Sequence, residues 1–127
     1  MNVVDSSAWL EYFASGPNAG YFAEAIEATD ELVVPTITIL EVFKRVHQQR
    51  GEGPALQSVA LMQQGQTTDL TSATALMAGL LGLKHRLPLA DSVVFATARQ
   101  FDATLWTQDA DFDGLPGVRF RAKRGKS

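Results

Sequence analysis

Short apolar runs, each followed by a longer stretch of helical periodicity, constrain this chain more than any other feature. Asn2-Val3-Val4-Asp5 reads as a buried strand that ends in an acid. Ser6 or Ser7 is expected to cap a helix over Ala8–Ala14, which Ser15-Gly16-Pro17 ends. Pro17 and Asn18 open a second helix to about Ala28, and Glu31–Val34 reads as a second strand stopped by Pro35. A third helix begins at Thr36 or Thr38 and runs to about Arg50, with Ile39, Val42, Phe43 and Val46 in one stripe. Gly51-Glu52-Gly53-Pro54 reads as a break before a fourth helix over Ala55–Gln64. Gly65–Leu70 is a weak strand signal, and Thr71 and Ser72 cap a fifth helix that ends near Arg86. Pro88 separates this from a sixth helix over Ala90–Phe101, with Ala90, Val93, Val94, Thr97, Ala98 and Phe101 on one apolar face, followed by a strand at Ala103–Thr107. A polar loop, Gln108–Gly117, and a last strand at Val118–Arg121 complete the pattern. Strands alternating with helices predict an α/β fold, with a central parallel β-sheet flanked by helices on both faces. In such sheets, ligands bind beyond the carboxyl ends of the strands.

The length of 127 residues suits one domain, and no repeat or linker divides it. The chain has no cysteine, which excludes a disulfide scaffold, a thiolate zinc site and a cysteine nucleophile. No apolar run approaches the ~20 residues of a membrane span, and the first residues lack a basic leader, so a cytoplasmic protein is expected. The net charge of −3 hides an asymmetry. Residues 1–118 carry 14 acids against six Lys or Arg, a balance of −8, whereas residues 119–127 carry five bases and no acid. Such a body repels a polyanion unless cations or a local basic strip intervene. The basic tail, about 119–127, also has a plain reading as a solvated, frayed terminus.

Four acids are unusually placed. Asp5 closes a strand, Glu41 lies mid-helix off the apolar stripe, Asp91 lies in a helix's first turn, and Asp109, with Asp111, follows the strand Ala103–Thr107. Taken singly, each has a structural explanation. Asp5 suits a helix cap, Glu41 an ion pair with Lys44 or Arg45, Asp91 the positive end of its helix, and Asp109, Asp111 and Asp113 a solvated turn. Taken together, they fit one edge of a parallel sheet. Two unit charges ~4 Å apart repel by about 4 kcal/mol at an effective dielectric of ~20, so such a group either protonates or binds a cation. Oxygen-only ligands suit Mg²⁺ or Mn²⁺ rather than Zn²⁺.

With these segments in view, the chain resembles the PIN-domain nucleases, and among them the small VapC-type toxins of VapBC toxin–antitoxin modules. The likeness rests on Val3-Val4-Asp5-Ser6-Ser7, Pro35-Thr36-Ile37-Thr38-Ile39-Leu40-Glu41-Val42, Leu87-Pro88-Leu89-Ala90-Asp91-Ser92 and Leu105-Trp106-Thr107-Gln108-Asp109-Ala110-Asp111-Phe112. Their order and spacing span nearly the whole chain. The resemblance implies a PIN-like three-layer sandwich and a Mg²⁺- or Mn²⁺-dependent endoribonuclease that hydrolyses RNA with metal-activated water. It matches Asp5, Glu41, Asp91 and Asp109 to an acidic quartet that is both catalytic and metal-holding. Asp111 matches a frequent further acid, and Ser6 and Thr107 match supporting hydroxyls. The resemblance also implies an RNA substrate, a VapB-like antitoxin and a homodimer.

Other readings remain open at this level. Histidine-driven RNA cleavage would need His47 and His85, each near a helix end and read more simply as a surface residue. Asp5-Ser6-Ser7 lacks the second aspartate of haloacid-dehalogenase-type phosphatases. A non-catalytic PIN-like binding module would act through protein or RNA partners. Trp9, Tyr12, Phe13, Tyr21 and Phe22 read mainly as core, with a partner surface as the alternative. Lys44, Arg45, Arg86 and the tail are candidate phosphate contacts, and Trp106 is expected to pack within its strand.

Overall fold

The structure, a computed structural model, describes residues 1–125. Five strands, β1 (Asn2–Val4), β2 (Leu32–Pro35), β3 (Gln66–Thr68), β4 (Thr104–Thr107) and β5 (Val118–Phe120), form one sheet of order β3-β2-β1-β4-β5. Every pairing is parallel. The helices are α1 (Ser6–Phe13), α2 (Ala19–Glu27), α3 (Thr36–Arg50), α4 (Glu52–Met62), α5 (Ser72–His85) and α6 (Leu89–Gln100).

The period of two along each strand divides the core between the faces of the sheet. Val4, Val34 and Trp106 pack on one side with Trp9, Phe22, Val42 and Met62, beneath α1–α4. Val3, Val33 and Leu105 pack on the other with Val94, Phe95 and Phe112. Burial on both faces is why the inner strands read as continuous apolar runs rather than alternating ones. This is the expected three-layer sandwich. Of the N-terminal aromatics, Trp9 and Phe22 are buried, and Tyr12, Phe13 and Tyr21 pack half-buried against them.

Two expectations need correction. Glu52, Gly53 and Pro54 do not break the chain but form the first turn of α4, and only Gly51, at φ +89°, separates it from α3. A helix's first amides have no intrahelical acceptor, so Pro54 forfeits no bond there. The sixth helix is buried not on one face but all round, from Ser92 to Ala98. Val94, Phe95 and Ala98 meet the sheet while Val93 and Ala96 meet Ala78 of α5, so α6 lies between the sheet and α5. That leaves α5 outermost, with Leu76, Leu80 and Leu83 at 74, 72 and 83% exposure.

The sheet order sets the position of the site. From β1 the chain builds first towards β2 and β3 and later returns on the other side with β4 and β5. A reversal of this kind leaves a crevice beyond the carboxyl ends of the two central strands. Val4 is in register with Trp106, and the Asp5 amide donates to the Trp106 carbonyl at 2.9 Å, so the residues after β1 and β4 begin side by side.

Candidate metal centre

Asp5 occupies the head of this crevice, 1% exposed. It stands at the N-cap of α1, but its side chain makes no capping bond. Instead Oδ2 accepts from the Ser7 hydroxyl at 2.7 Å and from the Thr107 hydroxyl at 3.0 Å. The other oxygen, Oδ1, is buried and has no hydrogen-bond partner. Burial drives the Asp5 carboxyl above the ordinary carboxylate range. The two hydroxyls oppose that shift, and the charges of Asp109 and Glu41 add to it.

Thr107 couples the two strand ends. Its hydroxyl donates to Asp5 and accepts from the Asp109 amide at 2.9 Å. Asp109 Oδ1 in turn accepts from the Asp111 amide at 2.9 Å and so caps the short 3-10 turn Ala110–Phe112. The turn reading of these acids is therefore correct, and the turn directs them at the crevice. Asp91, in the first turn of α6, meets them there. Asp91, Asp109 and Asp111 each offer an oxygen within 4.8 Å of the other two. Half-buried among these acids, Asp91 is pushed up to about 8. Burial is the largest cause, followed by the charges of Asp5 and Asp109, a hydrogen bond with Asp109 and the charge of Asp111. Near neutral pH it therefore holds its proton unless a cation replaces it.

Glu41 and Asp5 stand outside that trio of oxygens, though the Glu41 charge acts on Asp5. Glu41 projects from α3, half-buried, and accepts from the Ser6 hydroxyl at 2.9 Å. Among the described residues it makes no ion pair with Lys44 or Arg45. The expected supporting hydroxyls, Ser6 and Thr107, thus each hold an acid of the quartet. Ser7 was legible only as a cap, yet it binds Asp5 more closely than Thr107 does. The histidines lie elsewhere, His47 against Phe43 on α3 and His85 against Phe95 at the end of α5.

Further residues fasten the loop after β4, and the sequence carried little sign of them. Asn18 is buried, and its Nδ2 donates to Gln108 Oε1 and to the Ala122 carbonyl, both at 3.0 Å. Its amide donates to Glu11, itself buried in α1. The basic tail is held down as far as Ala122, while Lys123 and Arg124 are exposed. The Arg121 amide donates to the Thr107 carbonyl at 3.0 Å. Arg119 lies over the Trp106 ring and Arg121 over the Tyr21 ring, at 4.8 and 4.3 Å from the ring centres. Lys126 of the tail lies outside the described residues.

A buried carboxylate oxygen without a partner, beside three convergent acids, fits a hard divalent cation. No donor of the chain reaches Asp5 Oδ1. Comparison with known proteins agrees in fold. Residues 3–118 match the PIN domain, and the chain belongs to that family. No curated protein matches its sequence significantly. Among solved structures, a toxin–antitoxin complex from Klebsiella pneumoniae is similar at TM-score 0.82 and 21% identity, covering 98% of this chain and 100% of that one. Mycobacterium tuberculosis VapC20, described as a sarcin–ricin loop cleaving toxin, gives 0.76 and 15%, over 91% and 95% of the two chains. DNA-bound VapBC from Salmonella typhimurium gives 0.73 and 13%, over 95% and 96%. At these identities the likeness is one of fold. Among the described residues, no helix is long and apolar enough to cross a membrane.

Proposed function

We propose that this chain is an endoribonuclease and the toxin of a type II toxin–antitoxin pair, with residues 1–127 acting as one PIN-like unit. The observation that carries the catalytic reading is Asp5 Oδ1, a buried, unpartnered carboxylate oxygen at the switch point of the sheet, with Asp91, Asp109 and Asp111 converging nearby. Asp5, Glu41, Asp91 and Asp109, with Asp111, would hold Mg²⁺ or Mn²⁺. When bound, such an ion neutralises phosphodiester oxygens and lowers the pKa of water. Thr107 and Ser7 fix the Asp5 carboxylate, and Ser6 fixes Glu41. One of these carboxylates takes the proton of the attacking water. The water oxygen bonds to phosphorus, the bond from phosphorus to the 3′ oxygen breaks, and that oxygen takes a proton from solvent water. The products are a 5′-phosphate and a 3′-hydroxyl.

The relatives' toxin–antitoxin context supports a VapB-like antitoxin partner, and a homodimer and a cytoplasmic setting are proposed with it. The row Leu76, Leu80 and Leu83, on one face of α5, is an apolar surface suited to a second copy. The test of function is cleavage of end-labelled single-stranded RNA. Cutting is expected in Mg²⁺ or Mn²⁺ and not in EDTA, with 5′-phosphate products. It should be lost in Asp5→Ala and Asp91→Asn proteins of unchanged circular dichroism. Cyclic-phosphate ends or cutting in EDTA would refute the mechanism. Partner capture without cleavage would favour a binding module.

A further inference from the structure

A groove of about 550 Å³ opens beside the acid cluster, and Ser7 and Asp109 are common to both. Its walls follow from helical spacing. Val46, Gln49 and Arg50 share one face of α3, and Pro54, Gln57, Ser58 and Leu61 share one face of α4. Leu10 and Phe13 of α1 close the opposite side. Arg45, Arg50 and Lys123 also line it, and all three are exposed. Of its two acids, Glu11 is engaged by the Asn18 amide, and Asp109 belongs to the candidate metal centre. The groove thus presents positive charge on a body whose residues 1–118 carry a balance of −8. Its volume lies within the ~300–1,000 Å³ typical of small-ligand sites.

Lys123 reaches the groove because the tail is held down. Arg119 and Arg121 lie over aromatic rings, and Asn18 binds the Ala122 carbonyl one residue before Lys123. The same Asn18 amide group binds Gln108, the residue before Asp109. One buried side chain therefore ties a basic strip to the loop that carries a site acid.

We propose that this groove is the subsite for the nucleotide adjoining the cleaved phosphate. Arg45, Arg50 and Lys123 hold its phosphates, and Gln49 and Gln57 read the edge of its base. The inference rests on the ribonuclease reading and names how that site takes its substrate. Three cations leading to a carboxylate cluster match a phosphate backbone that must enter a cation-filled centre. Side-chain amides are both donors and acceptors, as base edges require, and the half-buried Phe13 offers a ring for stacking.

The test uses a fluorescein-labelled, single-stranded RNA dodecamer of mixed sequence, in Mg²⁺. Anisotropy reads its binding to the Asp91→Asn protein, which is expected not to cut it. Adding Arg45→Gln with Lys123→Gln should weaken binding about tenfold and lower the salt slope by about 1.4, because each phosphate neutralised on a single strand adds ~0.7. Lys84→Gln, which removes a charge from the exposed end of α5, should change neither. In protein with an intact acid cluster, the groove pair should raise KM more than it lowers kcat, and Gln57→Leu should alter the base preference beside the cut. If the groove pair binds RNA as the Lys84 control does, the proposal falls. It falls equally if that pair loses only capture of the antitoxin, for the groove is then a peptide site. If no RNA is cut by the unmodified protein yet the groove pair still weakens binding, the cleavage reading fails, and what stands is RNA binding by the groove rather than a place beside a cut.

Discussion

Replacing Asp91 with asparagine removes one charge from the acid cluster while keeping the shape of the side chain. In the folded, cation-free chain this carboxyl is pushed up to about 8, against an ordinary value of 3.8. Unfolded, it returns to its ordinary value. The folded state therefore binds the proton more tightly, and stability falls as pH rises through the window from 3.8 to about 8. Taken at face value, that gap corresponds to roughly 6 kcal/mol. Asp91 is only half-buried, however, and solvent screening reduces the loss to about 2 kcal/mol. The asparagine variant escapes it. In EDTA at pH 8 it should be more stable than the parent by about 2 kcal/mol, a rise in melting temperature of roughly 5–12 °C. At pH 4 the two should nearly coincide. Mg²⁺ or Mn²⁺ should reverse the order, because a cation at 100 times its dissociation constant adds about 2.7 kcal/mol to a protein that binds it. Differential scanning fluorimetry across pH, with EDTA or Mn²⁺, reads both effects. Parallel stability–pH profiles for the two proteins, or equal stabilisation of both by Mn²⁺, would refute the account of a charge cluster awaiting a cation.

Thr107→Val keeps the shape of a buried strand residue and removes both the bond to Asp5 and the acceptor for the Asp109 amide. A loss of about 1–3 kcal/mol in thermal unfolding is expected, together with a fall in kcat at unchanged KM in RNA cleavage. Unaltered melting and rate would show that the hydroxyl positions nothing. Leu80→Lys, at a position 72% exposed, should convert a dimer to a monomer in light scattering without lowering the melting temperature at low protein concentration. A mass that does not change would place the dimer surface elsewhere.

Much of the fold was legible because it follows from local rules. Val3-Val4, Val33-Val34 and Leu105-Trp106 supply both faces of a buried sheet, and that sheet needs helices on either side. The acids were legible because a carboxylate that closes an apolar strand, as Asp5 does, is out of place as packing, and Glu41, Asp91 and Asp109 stand in other positions that packing does not require. What the sequence concealed depends on tertiary direction. Asn18 sits where an N-cap belongs, but its side chain is spent on Gln108 and Ala122, which are far away in sequence. The first turn of α1 has Ser6 bonded to Glu41 and Ser7 bonded to Asp5, a division that no spacing rule distinguishes from two alternative caps. The tail read as solvated because its charges are what solvated termini carry. Its anchoring depends on Trp106 of β4 and Tyr21 of α2 offering ring faces to Arg119 and Arg121.

The site and the core are built from the same elements, and this sets how the protein tolerates change. Asp5 is the residue that ends β1, begins α1 and donates its amide to the Trp106 carbonyl, while its carboxyl remains half satisfied. Asp91 opens α6, the most buried helix, and there meets charges that burial makes unfavourable. Neutralising either acid therefore relieves the fold as it removes a proposed ligand, so activity and cation-free stability are expected to move in opposite directions across substitutions in this cluster. Thr107 breaks that pattern, because its buried hydroxyl bonds both Asp5 and the amide of Asp109, so its loss lowers both. A cation at the cluster removes the conflict by giving the acids the partner that the chain does not supply. Ligand binding and completion of the fold then become one event at the crevice between β1 and β4.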